Sequence, residues 1–253
     1  MNVPVAIRAS AERLVVAATM GPTIHDVHAW RFKVASGLIE VHADPARFRP
    51  ARDPLGRSLH LSSGAALVNL RLAAAQLGHE AVVRLLPDAG RPTVLAAVRL
   101  AGRHRMTREE RLLYAATLRP FVAARPVDAA RPPVPLTNEL GEAAKLEGAA
   151  LHPLPTAKEM PAQRAVLTTH GDSPAEWLRA GQALQRLLLS GTVHAVSTSF
   201  TFDVDVPGVD DVTEPGEVPQ VLLELAQDVD ARRLLKPPVA RQHERQGRWQ
   251  RVG

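Results

Sequence analysis

Five prolines fall between Arg119 and Pro135 (Pro120, Pro126, Pro132, Pro133 and Pro135), and no helical spacing of apolar residues survives among them. Proline fixes φ and lacks an amide donor, so neither a helix nor a central strand runs through such a stretch. The segment predicts an extended connection that cuts the chain into halves of about 1–118 and 136–226, with a basic arm over 227–253. The 253 residues suffice for a buried core, and the halves read as parts of one domain.

The first half opens on a helix, with Ile7, Leu14, Val15 and Ala18 on one face and Gly21-Pro22 as its stop. Strands follow at Arg31–Ala35 and Leu38–Ala43, turning at Ser36-Gly37. An irregular stretch from Asp44 to His60 leads to a helix from Ser63 to Leu77, with Ser62 or Ser63 as its cap and Gly78 as its end. Strands at Ala81–Leu86 and Val94–Leu100 flank a Pro87–Gly90 turn, and Thr107-Arg108-Glu109-Glu110 is a capping box for a third helix.

After the proline stretch come a helix near Asn138–Glu147 and a strand at Arg164–Thr169. Ser173-Pro174-Ala175-Glu176 then starts a long helix through Leu184–Leu189, followed by strands near Ser199–Val204 and Gln220–Ala226. Hairpins and helices mix without regular strand–helix alternation, which predicts an α+β fold: an antiparallel sheet flanked by helices. There is no Gly-x-Gly-x-x-Gly and no Walker-type loop, so nucleotide binding of those kinds is unsupported.

With no cysteine, the chain has no disulfide, thiolate chemistry or cysteine-ligated metal, and any redox chemistry requires a bound cofactor. The longest apolar patch, Leu184–Val193, is broken by Gln185, Arg186, Ser190 and Thr192, which argues against a membrane span. No secretory signal pattern opens the chain, so a cytoplasmic location is expected. The formal charge of +5 is too mild to imply nucleic acid; Arg232, Arg233, Lys236, Arg241, Arg245, Arg248 and Arg251 concentrate it in a solvated or partner-wrapping arm.

The loop after the first helix carries Pro22, Thr23, His25, Asp26, His28, Ala29, Trp30, Arg31 and Phe32. It resembles the Pro-Ser-x-His-Asn-x-Gln-Pro-Trp-Arg-Phe loop of the Acg-type branch of the nitroreductase family. The Asp53-Pro54-Leu55-Gly56-Arg57 turn, the Ser63-Gly64-Ala65-Ala66-Leu67 helix start and the helix Glu176–Leu184 also look like that family. The resemblance spans about residues 8 to 226, and the longer helical insertion usual between Leu151 and Arg164 is almost missing.

Such proteins resemble a nitroreductase dimer fused into one chain, with two pseudo-repeated halves holding FMN between them. The resemblance implies an FMN-dependent oxidoreductase that transfers hydride from NAD(P)H to a small organic substrate. By position, the implied cofactor-binding residues are His25, Asp26, His28, Trp30, Arg31, Arg119 and Arg125. Asp26 and His28 stand where Asn and Gln are usual, Ala123 and Ala124 where Asn and Arg are, and Glu224 and Ala226 where Arg and Gly are; Pro219-Gln220 is kept. A carboxylate repels phosphate, and each lost charge-assisted bond removes about 1.5–3 kcal/mol. The alternative is a nitroreductase-fold protein with a degenerate flavin site, acting as a non-redox binding or partner protein. The shortened insertion leaves apolar surface that suits a homodimer.

The remaining polar residues carry blander expectations. His25-Asp26-x-His28 matches no zinc spacing and reads as a polar loop, with no metal. His60, His170 and His194 read as surface or half-buried histidines, Trp177 as core, and Asp210-Asp211 as part of a solvated acidic loop.

Overall fold

The computed structural model describes residues 14–19, 29–35, 37–119, 129–157 and 159–228. Residues 14–18 are helical (α1) and bury Leu14 and Ala18. The first half continues with the hairpin β1 (Trp30–Ala35) and β2 (Leu38–Ala43), the helix α2 (Arg57–Gln76), the hairpin β3 (His79–Leu85) and β4 (Val94–Arg103), and α3 (Arg108–Thr117). The second half holds β5 (Ala129–Ala130), α4 (Val134–Lys145), the hairpin β6 (Ala150–Pro153) and β7 (Gln163–Thr169), α5 (Pro174–Val193), β8 (Val196–Thr201), the short α6 (Val209–Val212) and β9 (Val218–Asp228).

The fold is α+β with two antiparallel sheets rather than one. The first runs β1-β2-β4-β3; the second runs β6-β7-β9, with β8 and β5 also pairing β9. Helix α2 lays Leu67, Leu70 and Ala74 on Ile39, Val41 and Val98 of the first sheet. Helix α5 lays Ala180, Leu184 and Leu187 on Leu167, Val221 and Leu223 of the second. Both helices are 20 residues long and both are buried along most of their length, because each faces a sheet and also the other helix.

That helix–helix contact is possible only where side chains vanish. A Cβ on Gly64 would lie 2.1 Å from the Leu178 carbonyl oxygen, and one on Gly181 would lie 2.0 Å from the Leu61 carbonyl oxygen. Two glycines thus let the backbones touch, where any larger residue would hold the axes apart by roughly the usual 8–10 Å.

Several boundaries move for identifiable reasons. Helix α2 begins at Arg57, not Ser63, because the Asp53 carboxylate caps it from outside: Oδ1 accepts from the Ser58 amide at 3.2 Å and Oδ2 from the Leu59 amide at 3.0 Å. Ser62 and Ser63 are therefore interior helix residues and not caps. Ser63 Oγ donates back to the Leu59 carbonyl at 2.8 Å. Helix α4 starts at Val134, ahead of the expected Asn138, since Pro135 sits in its first turn where a missing amide costs nothing. The four-residue β6 shows too little alternation to be read beforehand. The β6–β7 connection is short and is pinned by Arg131, whose Nη2 donates to the Ala157 carbonyl at 2.5 Å. Asp210 and Asp211 lie exposed on α6.

Candidate functional site

The two halves meet in a polar cluster at the N-terminal ends of α2 and α5. Its centre is Arg57, the first residue of α2, which reaches across to β9. Arg57 Nη2 donates to the Gln220 carbonyl and to its Oε1, both at 2.8 Å, and Nε donates to the same Oε1 at 3.2 Å.

Gln220 is available for a sequence-encoded reason. In the β7–β9 ladder Leu167 pairs with Val221 and Thr168 with Pro219, so Gln220 is skipped. Pro219 has no amide to give the ladder, and the resulting bulge releases the carbonyl of the next residue. The fully buried Gln220 side chain is held in turn, its Nε2 donating to the Gly171 carbonyl at 3.3 Å.

Burial pulls the Arg57 guanidinium down from its ordinary value, while Asp172 and Asp53 push it back up. An arginine so placed stays charged. Its Nη1 has no hydrogen-bond partner among the described residues, which leaves two donors for an anion.

Beside it, His60 meets Trp177 edge-to-face with ring centroids 5.6 Å apart. His60 Nδ1 lies 2.6 Å from the Gly56 carbonyl oxygen; a carbonyl only accepts, so Nδ1 carries the proton and Nε2 the lone pair. Burial lowers the pKa of His60, against smaller opposing effects of the Gly56 carbonyl and Asp53, so the ring is neutral near pH 7. Trp177 Nε1 donates to Asp172, which anchors the loop before α5.

Of the residues expected from sequence, His25, Asp26, His28 and Arg125 lie outside the described residues. Trp30 is 4% exposed and packed in the first-half core, edge-to-face with Phe32, its Nε1 donating to Ser62 Oγ at 2.8 Å. Arg31 is exposed on β1 opposite His42, and Arg119 is exposed just past α3. Trp30 and α2 are thus joined directly, whereas Arg31 and Arg119 are exposed cations with no ion-pair partner among the described residues. His60 and His194 are half-buried and His170 is exposed, in line with the bland reading; His194 pairs with Glu139 at 3.0 Å. Trp177 is core, as read. Among the described residues no group of three potential ligands could hold a metal ion, and no helix is long and apolar enough to cross a membrane.

Arg57 and Gln220 were missed as site residues, although both stand in motifs that could have flagged them: Asp53–Arg57 and Pro219-Gln220. What linked them was invisible, because they are 163 positions apart in the chain.

No known family model matches the chain. Two curated sequences from Mycobacterium tuberculosis, strains CDC 1551 / Oshkosh and ATCC 25618 / H37Rv, each bear the name "Putative NAD(P)H nitroreductase". Each is 38% identical to this chain over 71 residues, a stretch that is 28% of this chain and 21% of the relative. The chain thus matches about a fifth of their length. This partial likeness supports a nitroreductase-like relationship.

Proposed function

We propose that the chain is an FMN-dependent oxidoreductase of the nitroreductase type, moving hydride from NAD(P)H to a small organic substrate, with the cofactor held where the two halves meet. The observation that carries this reading is the shared strand order. Apart from the two-residue β5, which adds a fifth strand to the second sheet, each sheet sets its strands in the sequence first, second, fourth, third, around one 20-residue helix, and the two helices cross at Gly64 and Gly181.

A constant sequence offset supports reading the halves as two copies of one unit. The offset from Arg57 to Pro174 also relates Leu61 to Leu178, Gly64 to Gly181, and Gln76 to Val193. His60 and Trp177 are related by it too and touch each other, as residues beside a two-fold axis do. The Acg-type assignment belongs to this same proposal.

The donor chemistry fits the phosphate end of such a cofactor. Phosphate is bound by guanidinium forks and charge-assisted amides. Arg57 offers its Nη1 donors from a position already fixed by Gln220, and Arg31 and Arg119 offer exposed cations. His25, Asp26, His28 and Arg125 complete the proposed set from sequence. When bound, FMN supplies the electron-pair chemistry that a chain without cysteine cannot.

The chain's own part is binding and orientation. Arg57, held by Gln220, would meet negative charge at the junction, Asp172 and Asp53 favour its charged form, and His60 beside it is neutral. Trp30, locked to Ser62, fixes the start of β1, two positions after His28 in the chain.

Purified protein titrated with FMN and then NAD(P)H tests the proposal. Saturable flavin binding with NAD(P)H oxidation is expected. Failure to bind FMN at any concentration would overturn it. Binding without NAD(P)H oxidation would favour the non-redox binding protein instead.

A further inference from the structure

A second feature of the fold lies at the opposite end of α5, where a cleft of about 620 Å³ opens between α3 and α4. Its lining includes Leu112, Leu146 and Val193, and the first two are 44% and 68% exposed. Two large leucines facing solvent across one cleft are an apolar surface with no cover among the described residues.

The rim is acidic. Glu109, Glu139 and Glu142 border the cleft, with Arg108 and His194 as the basic residues among them. Each glutamate has a neighbour: Arg186 for Glu109 at 2.8 Å, His194 for Glu139 at 3.0 Å, and Lys145 for Glu142 at 2.8 Å. All three carboxylates are more than half exposed, so these pairs are weak and leave the oxygens open to further cations.

The last described residue, Asp228, lies at this spot. The Asp228 amide donates to the Ala195 carbonyl at 3.0 Å, and Ala195 follows His194, which lines the cleft. The next residues are Val229-Asp230-Ala231-Arg232-Arg233-Leu234-Leu235-Lys236, then Pro237-Pro238. Three residues, Val229 to Ala231, reach about 10 Å, enough to bring the following segment onto the cleft.

We propose that the segment Arg232–Lys236 docks in this cleft of its own chain, with Leu234 and Leu235 covering Leu112 and Leu146 and Arg232, Arg233 and Lys236 facing Glu109, Glu139 and Glu142. The pattern is complementary term by term: two leucines for an apolar floor, three cations for three carboxylates. Each ion pair contributes little alone, but a tether of three residues holds the segment at millimolar or higher effective concentration, so a weak contact suffices. The arm's basic character then serves intramolecular docking.

The absence of cysteine makes disulfide trapping in the full chain a direct test. Leu146→Cys combined with Leu234→Cys should close within one chain under mild oxidation. The pair Leu55→Cys with Leu234→Cys, placing the first cysteine near the far end of α5, should not. Adding Glu139→Lys and Glu142→Lys should cut the first yield several-fold. Equal closure of both pairs, closure of neither, or closure only between two chains would overturn the proposal. Hydrogen exchange on the unaltered chain gives an independent readout: amides of α3 and α4 should lose protection in a chain ending at Asp228, and unchanged exchange there would also overturn it.

Discussion

Gly64 and Gly181 face each other's helices in reciprocal fashion: each would drive a methyl group into the carbonyl oxygen three residues before the other. The contact is between backbones, so no side chain can swing away. Gly64→Ala or Gly181→Ala should each cost about 3 kcal/mol, the upper range for overpacking, because α2 and α5 must separate. Gly141→Ala is the control, since a Cβ there meets nothing within 4 Å; it should gain about 0.5–1 kcal/mol by helix propensity alone. Urea denaturation of the three variants measures both signs, and equal effects at all three positions would refute the crossing geometry.

The second residue after each long helix adopts a left-handed conformation, but only one is glycine. Gly78 has φ +82° and Ala195 has φ +56°. A non-glycine residue there costs about 1–2 kcal/mol, partly offset by the greater freedom of glycine in the unfolded chain. Ala195→Gly should therefore raise stability by about 0.5–1 kcal/mol, read as a higher urea midpoint with an unchanged slope.

Glu147 is a buried anion shared between the halves. Its Oε1 accepts from Arg71 of α2 and lies 3.5 Å from Arg186 Nη1 of α5. Glu147→Ala would leave Arg71 without its carboxylate and Arg186 with only the exposed Glu109, so a loss of about 3 kcal/mol is expected by thermal or urea unfolding. Adding Arg71→Met should recover part of that loss in a double-mutant cycle; simple additivity would show that the pair is not coupled.

His60 gives a pH signature. Its folded pKa is depressed by burial, so below about pH 6.5 the unfolded chain takes up a proton that the folded chain resists. Stability should fall as pH drops from the unfolded value through the folded one, and should be flat with respect to this group above it. His60→Gln should flatten that part of the stability–pH curve. A wild-type curve that rises on acidification across the same range would contradict the burial argument.

Arg57 and Gln220 separate binding from folding at the proposed flavin site. Arg57→Met removes the half-buried donor, and a lost charge-assisted bond of about 1.5–3 kcal/mol corresponds to roughly 10- to 150-fold weaker FMN binding. Gln220→Ala leaves the cation but frees it, so a smaller loss is expected. Flavin fluorescence titration reads both, and an unchanged Kd for Arg57→Met would move the phosphate elsewhere.

The amino-acid sequence by itself determined the local elements. Alternating apolar residues set the hairpins at Trp30–Ala43 and His79–Arg103, the Thr107 capping box started α3, and Ser173-Pro174 started α5, because each depends on neighbours within a turn or two. Only the tertiary structure decided the rest. Asp53 capping α2 from outside, Trp30 bonded to Ser62, Arg57 bonded to Gln220 in a proline-made bulge, and two glycines placed backbone to backbone all require residues far apart in the chain to meet. Such meetings depend on how two sheets and two helices stack, and no local spacing records that.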